Sequence, residues 1–344
     1  MGRAERVELI KKIEAARKSR VICYLTSDRE GAEAQVVKDV LPLFFEHMRQ
    51  FGESERIDLL LYTAGGDTLA AFGIARLLRE FGSHIGVLVP ARCHSAGTLL
   101  ALGANQIVMT KGAHLSPIDP SVSGPLNPAI QVPSQQAAQI VPLSVESVAG
   151  FKDLVMSEWG IKGEEALGEA FRALTDKVHP LALGDVYRAR QQIELLARKL
   201  LLSHRHDDDN LSTIVKTLTR GLGSHDYLIL RTEARELLGA QVATDDDVLE
   251  GLVWDLYRDF AEEMQLRSAH DVLGISQGFK GQPIPVVLRF AMVESTAMTD
   301  VAERHLAISV LTPQLPPGMP IQGFQIPARA IQHEIVKSGW FRYA

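Results

Sequence analysis

The sequence predicts an α/β fold with a mainly parallel sheet, and three observations carry that reading. Short apolar runs alternate with amphipathic helical stretches from residue 20 onward. The runs are the length of strands and the stretches between them the length of several helical turns, the pattern of βαβ units. Two turns that could carry chemistry, TAGGDT at 63–68 and HSAGT at 94–98, both begin where an apolar run ends. In open parallel sheets, ligands gather at the carboxyl ends of the strands.

The elements follow in order. RVICYLT (20–26) reads as a buried strand. Residues 32–51 read as a helix, because Val36, Val37, Val40, Leu41, Phe44, Phe45 and Met48 recur at helical spacing. IDLLLY (57–62) is a second buried strand, followed by TAGGDT and a helix carrying Leu69, Phe72, Leu77, Leu78 and Phe81. Residues 85–89 form a third strand, 95–102 a short apolar helix and 106–110 a fourth strand. Residues 121–138, rich in Pro, Ser, Gln and Ala, read as a surface loop. Helical periodicity resumes over 145–159, 164–174, 183–202 and 211–219, and 224–238 reads as a turn followed by a helix. Residues 285–294 and 307–312 are β-rich runs flanked by Pro and Gly, expected to form a small antiparallel appendage. The expected organisation is an N-terminal helix (1–19), a main α/β domain (20–250) with a helical insertion at about 140–220, and a C-terminal helix with the β-rich appendage (251–344).

Composition narrows the function classes. The chain has 344 residues, 46% apolar and 23% charged, with a net charge of −6. A pI near 6.0 and the lack of any Lys/Arg-rich run argue against nucleic-acid binding, since phosphate recognition needs a basic face. The N-terminal stretch MGRAERVELIKKIEAARKSR is charged and helix-periodic, unlike a secretory signal, and no apolar window reaches transmembrane length. A cytoplasmic protein is expected, with peripheral membrane contact left open. Cys23 and Cys93 lie in apolar strand-like stretches and read as small buried hydrophobes rather than a redox pair. SHRHDDDN (203–210) offers His204, His206 and three aspartates; its reading is a solvated loop whose acidic end caps the next helix, so no metal or cofactor is expected.

Ser95 stands between the strand-like HIGVLVPARC and the helix SAGTLLALGA. A serine there can simply cap the helix. It can also be a nucleophile at the helix's positive end, where a developing anion is stabilised. Ala96, Gly97 and Thr98 keep its surroundings small, as a substrate backbone requires. TAGGDT lacks the spacing of a dinucleotide fingerprint and the GK[ST] of a P-loop. Its glycine pair suits a backbone N–H turned toward a ligand. One such amide, with another just after the serine, would make an oxyanion hole.

These motifs carry a resemblance. TAGGDT … HSAGTLLALGA is similar to the SPGG … ASxGxxLLxAGA pattern of Clp-type peptidases and signal peptide peptidases, in the Clp/crotonase-like superfamily. ICYLTS, LYTAGGDT, SAGTLLALGANQIVMTKGAHLSPIDP and HPLALGDVYRAR more closely resemble the serine dehydrogenase proteinase family, over about residues 20–245. The resemblance implies a Clp/crotonase-like core, Ser95 as nucleophile, Gly66 and Ala96 as the oxyanion-hole amides, a peptide or protein substrate and a homo-oligomer. No P-loop occurs in the chain, and whether a separate ATPase feeds it stays open.

The general base departs from that pattern. Where the Clp histidine belongs, NQIVMTKGAHLSPIDP places Asp119, and His114 falls five residues early. A lysine base is one option, since desolvation can bring a lysine into range. Lys152 in SVAGFKDLVMSEWG lies at a suitable sequence distance, and Lys111 is a weaker candidate. SHDYLILRTEARELLG resembles the segment that holds the Clp acid, which gives Asp226 that place and makes the adjacent His225 the alternative base. His179 reads as structural, and His94 as pointing into the fold. Two other functions compete with a peptidase: a non-catalytic Clp-like assembly or interaction module, and crotonase-type acyl-thioester chemistry, for which no basic cluster is seen to meet a CoA phosphate.

Overall fold

The computed structural model describes residues 2–131, 138–205, 209–243, 246–311 and 330–343. Helix α1 (Arg3–Arg17) leads into β1 (Arg20–Thr26). α2 (Leu41–Phe51), β2 (Ser54–Tyr62), α3 (Thr68–Phe81) and β3 (Gly82–Val89) follow. Next come β4 (Arg92–Cys93), α4 (Ala96–Leu102), β5 (Gln106–Met109) and β6 (His114–Leu115). The insertion supplies α5 (Val145–Asp153), α6 (Glu164–Thr175), α7 (Pro180–Leu202) and α8 (Leu211–Lys216). β7 (Ile229–Leu230), α9 (Arg231–Leu238) and α10 (Asp247–Glu263) precede the long strands β8 (Ile284–Ser295), β9 (Thr299–Leu311) and β10 (Ala330–Tyr343).

The main sheet has the order β10-β9-β8-β1-β2-β3-β5. β1, β2, β3 and β5 run parallel, as the βαβ pattern predicts. The C-terminal strands are antiparallel, as expected, and they continue the main sheet: β8 pairs with β1, Ile22 opposite Ser295 and Thr26 opposite Ala291. Apolar side chains of the parallel strands alternate between two cores. Ile22, Tyr24, Ile57, Leu59, Leu61, Val87 and Val89 face α2, α3, α4 and α7. Val21, Cys23, Leu25, Leu60 and Leu88 face α1 and α10. Burial on both faces explains why these strands read as unbroken apolar runs. Cys23 and Cys93 are buried free thiols, and burial pushes both upward in pKa.

The predicted helix over 32–51 is shorter than its periodicity suggests. A 3₁₀ turn at Lys38–Val40 precedes α2, and Val36 lies extended, bridged to Gly66. Pro42 gives the reason. It occupies the first turn of α2, where its missing N–H costs nothing, whereas in the interior of a longer helix it would break the ladder.

α1 is clamped through its one buried cation. Arg6 donates from Nε to Glu294 at 2.9 Å and from Nη1 to Asp259 at 2.9 Å, and stacks on Phe260 at 4.8 Å. Among the described residues no helix is long and apolar enough to cross a membrane.

Arg6→Ala takes the guanidinium away from the buried Glu294 and Asp259. We expect a loss of about 3–5 kcal/mol in unfolding free energy, read by denaturant titration. A loss below about 1 kcal/mol, the size typical of an exposed pair, would refute this account of α1.

Candidate active site

Three chain segments come together at one end of a small sheet formed by β4, β6 and β7. Arg92 and Cys93 pair in parallel with His114 and Leu115, which pair antiparallel with Leu230 and Ile229. Residues just after β4, just after β6 and just before β7 therefore emerge at the same end. Those residues include Ser95, Ser116–Asp119 and His225. The end of β2 is fastened alongside, because Thr63 N–H donates to Arg92 O at 3.1 Å and His94 N–H donates to Thr63 O at 3.1 Å.

Ser95 is half-buried and has φ 50° and ψ −112°, a left-handed backbone for a residue with a Cβ. Such a conformation costs on the order of 1–3 kcal/mol and persists only when its surroundings over-determine it. Here they do. Ser95 N–H donates to Ser116 Oγ at 2.8 Å, and Ser116 Oγ donates to Pro117 O at 2.9 Å. Ser116 N–H in turn donates to Thr98 Oγ1 at 3.0 Å, and that hydroxyl donates to Cys93 O at 2.8 Å. The loop of hydrogen bonds binds the residues flanking Ser95 to the strand beside it. It leaves the Ser95 hydroxyl without a hydrogen-bond partner among the described residues.

The glycine pair packs against this turn. Gly65 has φ 117°, and a Cβ there would lie 2.8 Å from Ser95 Cβ and 3.3 Å from Ser95 Oγ. Gly66 has φ 144°, and its Cβ would strike the backbone of Val36. Val36 brackets Gly66, donating to Gly65 O at 2.8 Å and accepting from Asp67 N–H at 2.8 Å. By the alternation of a β ladder, the N–H of Gly66 points away from Val36. Asp67 starts α3 by accepting from Leu69 N–H and Ala70 N–H. Since Ser95 has spent its own amide on Ser116, the amides left nearby are those of Gly66 and Ala96. Ala96 is the first residue of α4, so its N–H has no acceptor within the helix.

Two imidazole arrangements flank the serine. His225 meets Asp119, Nδ1 to Oδ1 at 2.9 Å; Asp119 is buried and the histidine is partly exposed. That hydrogen bond raises the pKa of His225 above the usual histidine value, against the opposing effect of burial. His94 Nε2 meets His114 Nδ1 at 2.6 Å. Burial, then the neighbouring charges of His114, Arg92 and His225, push His94 down to about 3. His94 thus stays neutral and turns to His114. A second Ser–His–Asp array, Ser295–His47–Asp300, joins at 2.8 and 3.2 Å but is wholly enclosed, and Arg342 also holds Asp300. It ties α2 to β8 and β9 and offers a substrate no access.

The other expected residues fall as follows. Asp226 is exposed, its N–H donating to Ser224 Oγ at 3.2 Å; the carboxylate that meets His225 is Asp119. Lys152 is exposed on α5, along an apolar groove between α5, α6 and α7 that also holds Phe171, Tyr187 and Arg190. Lys111 is exposed and pairs with Asp247 at 2.9 Å. His179 caps α7, accepting from Leu181 N–H. In SHRHDDDN, His204 bonds Leu102 O at 2.9 Å, while 206–208 lie outside the described residues, as do 132–137 of the predicted loop. Among the described residues, no three His, Cys, Asp or Glu side chains are grouped to hold a metal. Sequence reasoning missed the Ser116 brace and the Asp119–His225 pair; that pair spans 106 positions, and no local signal announces it.

A family model described as ClpP-like SDH-type serine proteinase matches residues 2–141, a span that takes in TAGGDT, HSAGT and SPIDP and ends before His225. Two uncharacterized proteins of Methanocaldococcus jannaschii are 29% and 28% identical over 194 and 198 residues, which is 56% and 58% of this chain and 54% and 57% of theirs. The chain spans about half the length of these curated relatives. Among solved structures, a variant of the 1510-N membrane-bound stomatin-specific protease has TM-score 0.37 and 16% identity, covering 67% of this chain and 84% of that one. A ClpP1 variant from Listeria monocytogenes has TM-score 0.35 and 11% identity, covering 69% and 99%.

Gly65→Ala places a methyl group against Ser95 at a backbone angle that side chains avoid. Labelling of the protein by a fluorophosphonate should fall at least tenfold, about 1.4 kcal/mol in activation free energy. Unchanged labelling would mean that the Gly65–Ser95 contact does not shape the site.

Proposed function

Residues 2–141 carry the ClpP-like SDH-type serine proteinase signature, and from that premise we propose that the chain is a serine peptidase acting through an acyl-enzyme on peptides or proteins. The observation that carries the reading is the His225–Asp119 pair, standing at the same end of the small sheet as Ser95. Asp119 occupies Nδ1 of His225, which leaves Nε2 as the atom to accept the Ser95 proton. Seen this way, the histidine and the acid have exchanged strands relative to the Clp pattern, and Asp119 rather than Asp226 orients the base.

The steps follow from that assignment. Ser95 Oγ attacks the scissile carbonyl carbon as His225 Nε2 takes the hydroxyl proton. The carbonyl oxygen becomes an anion, held by the N–H groups of Gly66 and Ala96; one such donor is worth about a hundredfold or more in rate. The C–N bond breaks as His225 gives its proton to the leaving amine. Water, deprotonated by His225, then hydrolyses the Ser95 ester and restores the site. Acyl transfer of this kind needs no nucleotide, so the chain would act without ATP of its own. We further place it in the cytoplasm as a homo-oligomer.

Lys152 remains the alternative base, favoured only by its apolar groove. A non-catalytic interaction module is the competing function, and one observation favours it: among the described residues no imidazole is hydrogen-bonded to Ser95 Oγ. Catalytic hydrogen bonds are often loose until substrate binds, so labelling is the deciding measurement.

A fluorophosphonate should label the intact protein and not Ser95→Ala; absence of labelling in the intact protein would favour the module. Because the pKa of His225 is raised and the neutral imidazole is the active form, labelling should fall on acidification, with a midpoint above the ordinary histidine value of about 6.5. Asp119→Asn removes the group that raises it. Labelling should drop on the order of a thousandfold, and the remaining acid limb should move to lower pH. If Lys152→Ala abolishes labelling instead, and Asp119→Asn does not, the base is Lys152.

A further inference from the structure

Behind the His225–Asp119 pair lies a second carboxyl group. Asp119 spends Oδ1 on His225, while its Oδ2 is buried without a hydrogen-bond partner. Glu146 Oε1 is likewise buried without a partner. Both side chains line one small pocket, together with Pro117, Thr219, Arg220 and Ser224. Glu146 is held there by the start of α5: its N–H donates to Ser144 Oγ at 3.1 Å, and Val145 N–H donates to Pro120 O at 3.3 Å, one residue past Asp119.

Two ionised carboxylates lining one small pocket, each with a buried unsatisfied oxygen, would be costly on both counts. A single proton between them removes the repulsion and gives each oxygen a partner. We infer that Glu146 is a positioning residue of the active site: its carboxyl keeps a proton directed at Asp119 Oδ2 and so fixes the carboxylate that orients His225. The inference rests on the assignment of Asp119 and His225 proposed above.

The electrostatics agree. Burial raises the pKa of Glu146, and the charge of Asp119 and, more weakly, Asp153 raises it further, against Arg190 and Arg220. Those two arginines are engaged elsewhere, both bonded to Glu194, at 3.3 and 2.6 Å. The titratable groups facing His225 are the charged Asp119 and Asp226 and the neutral His94. Glu146 therefore acts on His225 only through Asp119.

The test titrates His225 by NMR in the Ser95→Ala protein, so that its outcome does not depend on whether Ser95 is a nucleophile. Glu146→Gln keeps a donor toward Asp119 and adds no charge, and His225 should titrate as in the parent. Glu146→Leu fills the space without a donor; Asp119 becomes more basic, and the His225 pKa should rise by about half a unit or more. With Ser95 restored, fluorophosphonate labelling at neutral pH should be roughly tenfold slower in Glu146→Leu than in Glu146→Gln. A fall of the His225 pKa in Glu146→Gln would show that Glu146 is ionised and overturn the inference. Equal titration in all three proteins would overturn it as well. If the intact protein is never labelled, the peptidase reading fails, and the NMR titration still decides the role of Glu146.

Discussion

The hydrogen bond from Ser95 N–H to Ser116 Oγ holds together the arrangement on which the candidate site depends. It fixes a serine in a left-handed conformation that an isolated chain would leave. It also removes the serine's own amide from any role with a ligand. The brace works because Ser116 is itself held through Thr98 to the carbonyl of Cys93, the last residue of β4. Gly65 completes it from the other side, where a side chain would collide with Ser95. A polar turn is thus made rigid by two hydroxyl groups and one missing Cβ.

The sheet places that turn. Parallel strands deliver TAGGDT and HSAGT to the same edge because β2 and β3 run alongside each other and β4 continues beyond β3. The C-terminal strands contribute from a distance. β10 is anchored to the α2 region by Trp340, which donates to Asp39 Oδ2 at 3.0 Å, and by Arg342, which pairs with Glu46 of α2. Asp39 lies three residues from Val36, whose backbone brackets Gly66. The far edge of the sheet thereby supports the loop beside the glycine pair.

Much of the fold was legible in the sequence because burial on two faces writes itself as continuous apolar runs, and βα turns as Gly- and Ser-containing breaks. The helix start was misplaced for a local reason. Val36, Val37 and Val40 satisfy helical spacing, yet Pro42 permits a helix only from Leu41, and the freed segment finds its hydrogen bonds at Gly65 and Asp67. The serine and the glycine pair were also legible, since each demands small residues at a strand end. The partner of His225 was not. Asp226 is adjacent in sequence, but both residues lie in a turn closed by Tyr227 N–H donating to Ser224 O at 3.1 Å, and the chain brings Asp119 to His225 instead.

By itself, then, the sequence determined the α/β class, the two turns and the serine between strand and helix, because periodicity, glycine and chain order are local properties. Only the tertiary structure decided that Ser95 stands in a strained backbone, that its amide belongs to Ser116, and that His225 pairs with Asp119. Those outcomes depend on the register of β4 with β6 and of β6 with β7. Register between separate segments, β6 and β7 above all, is set by packing, and no stretch of sequence read alone contains it.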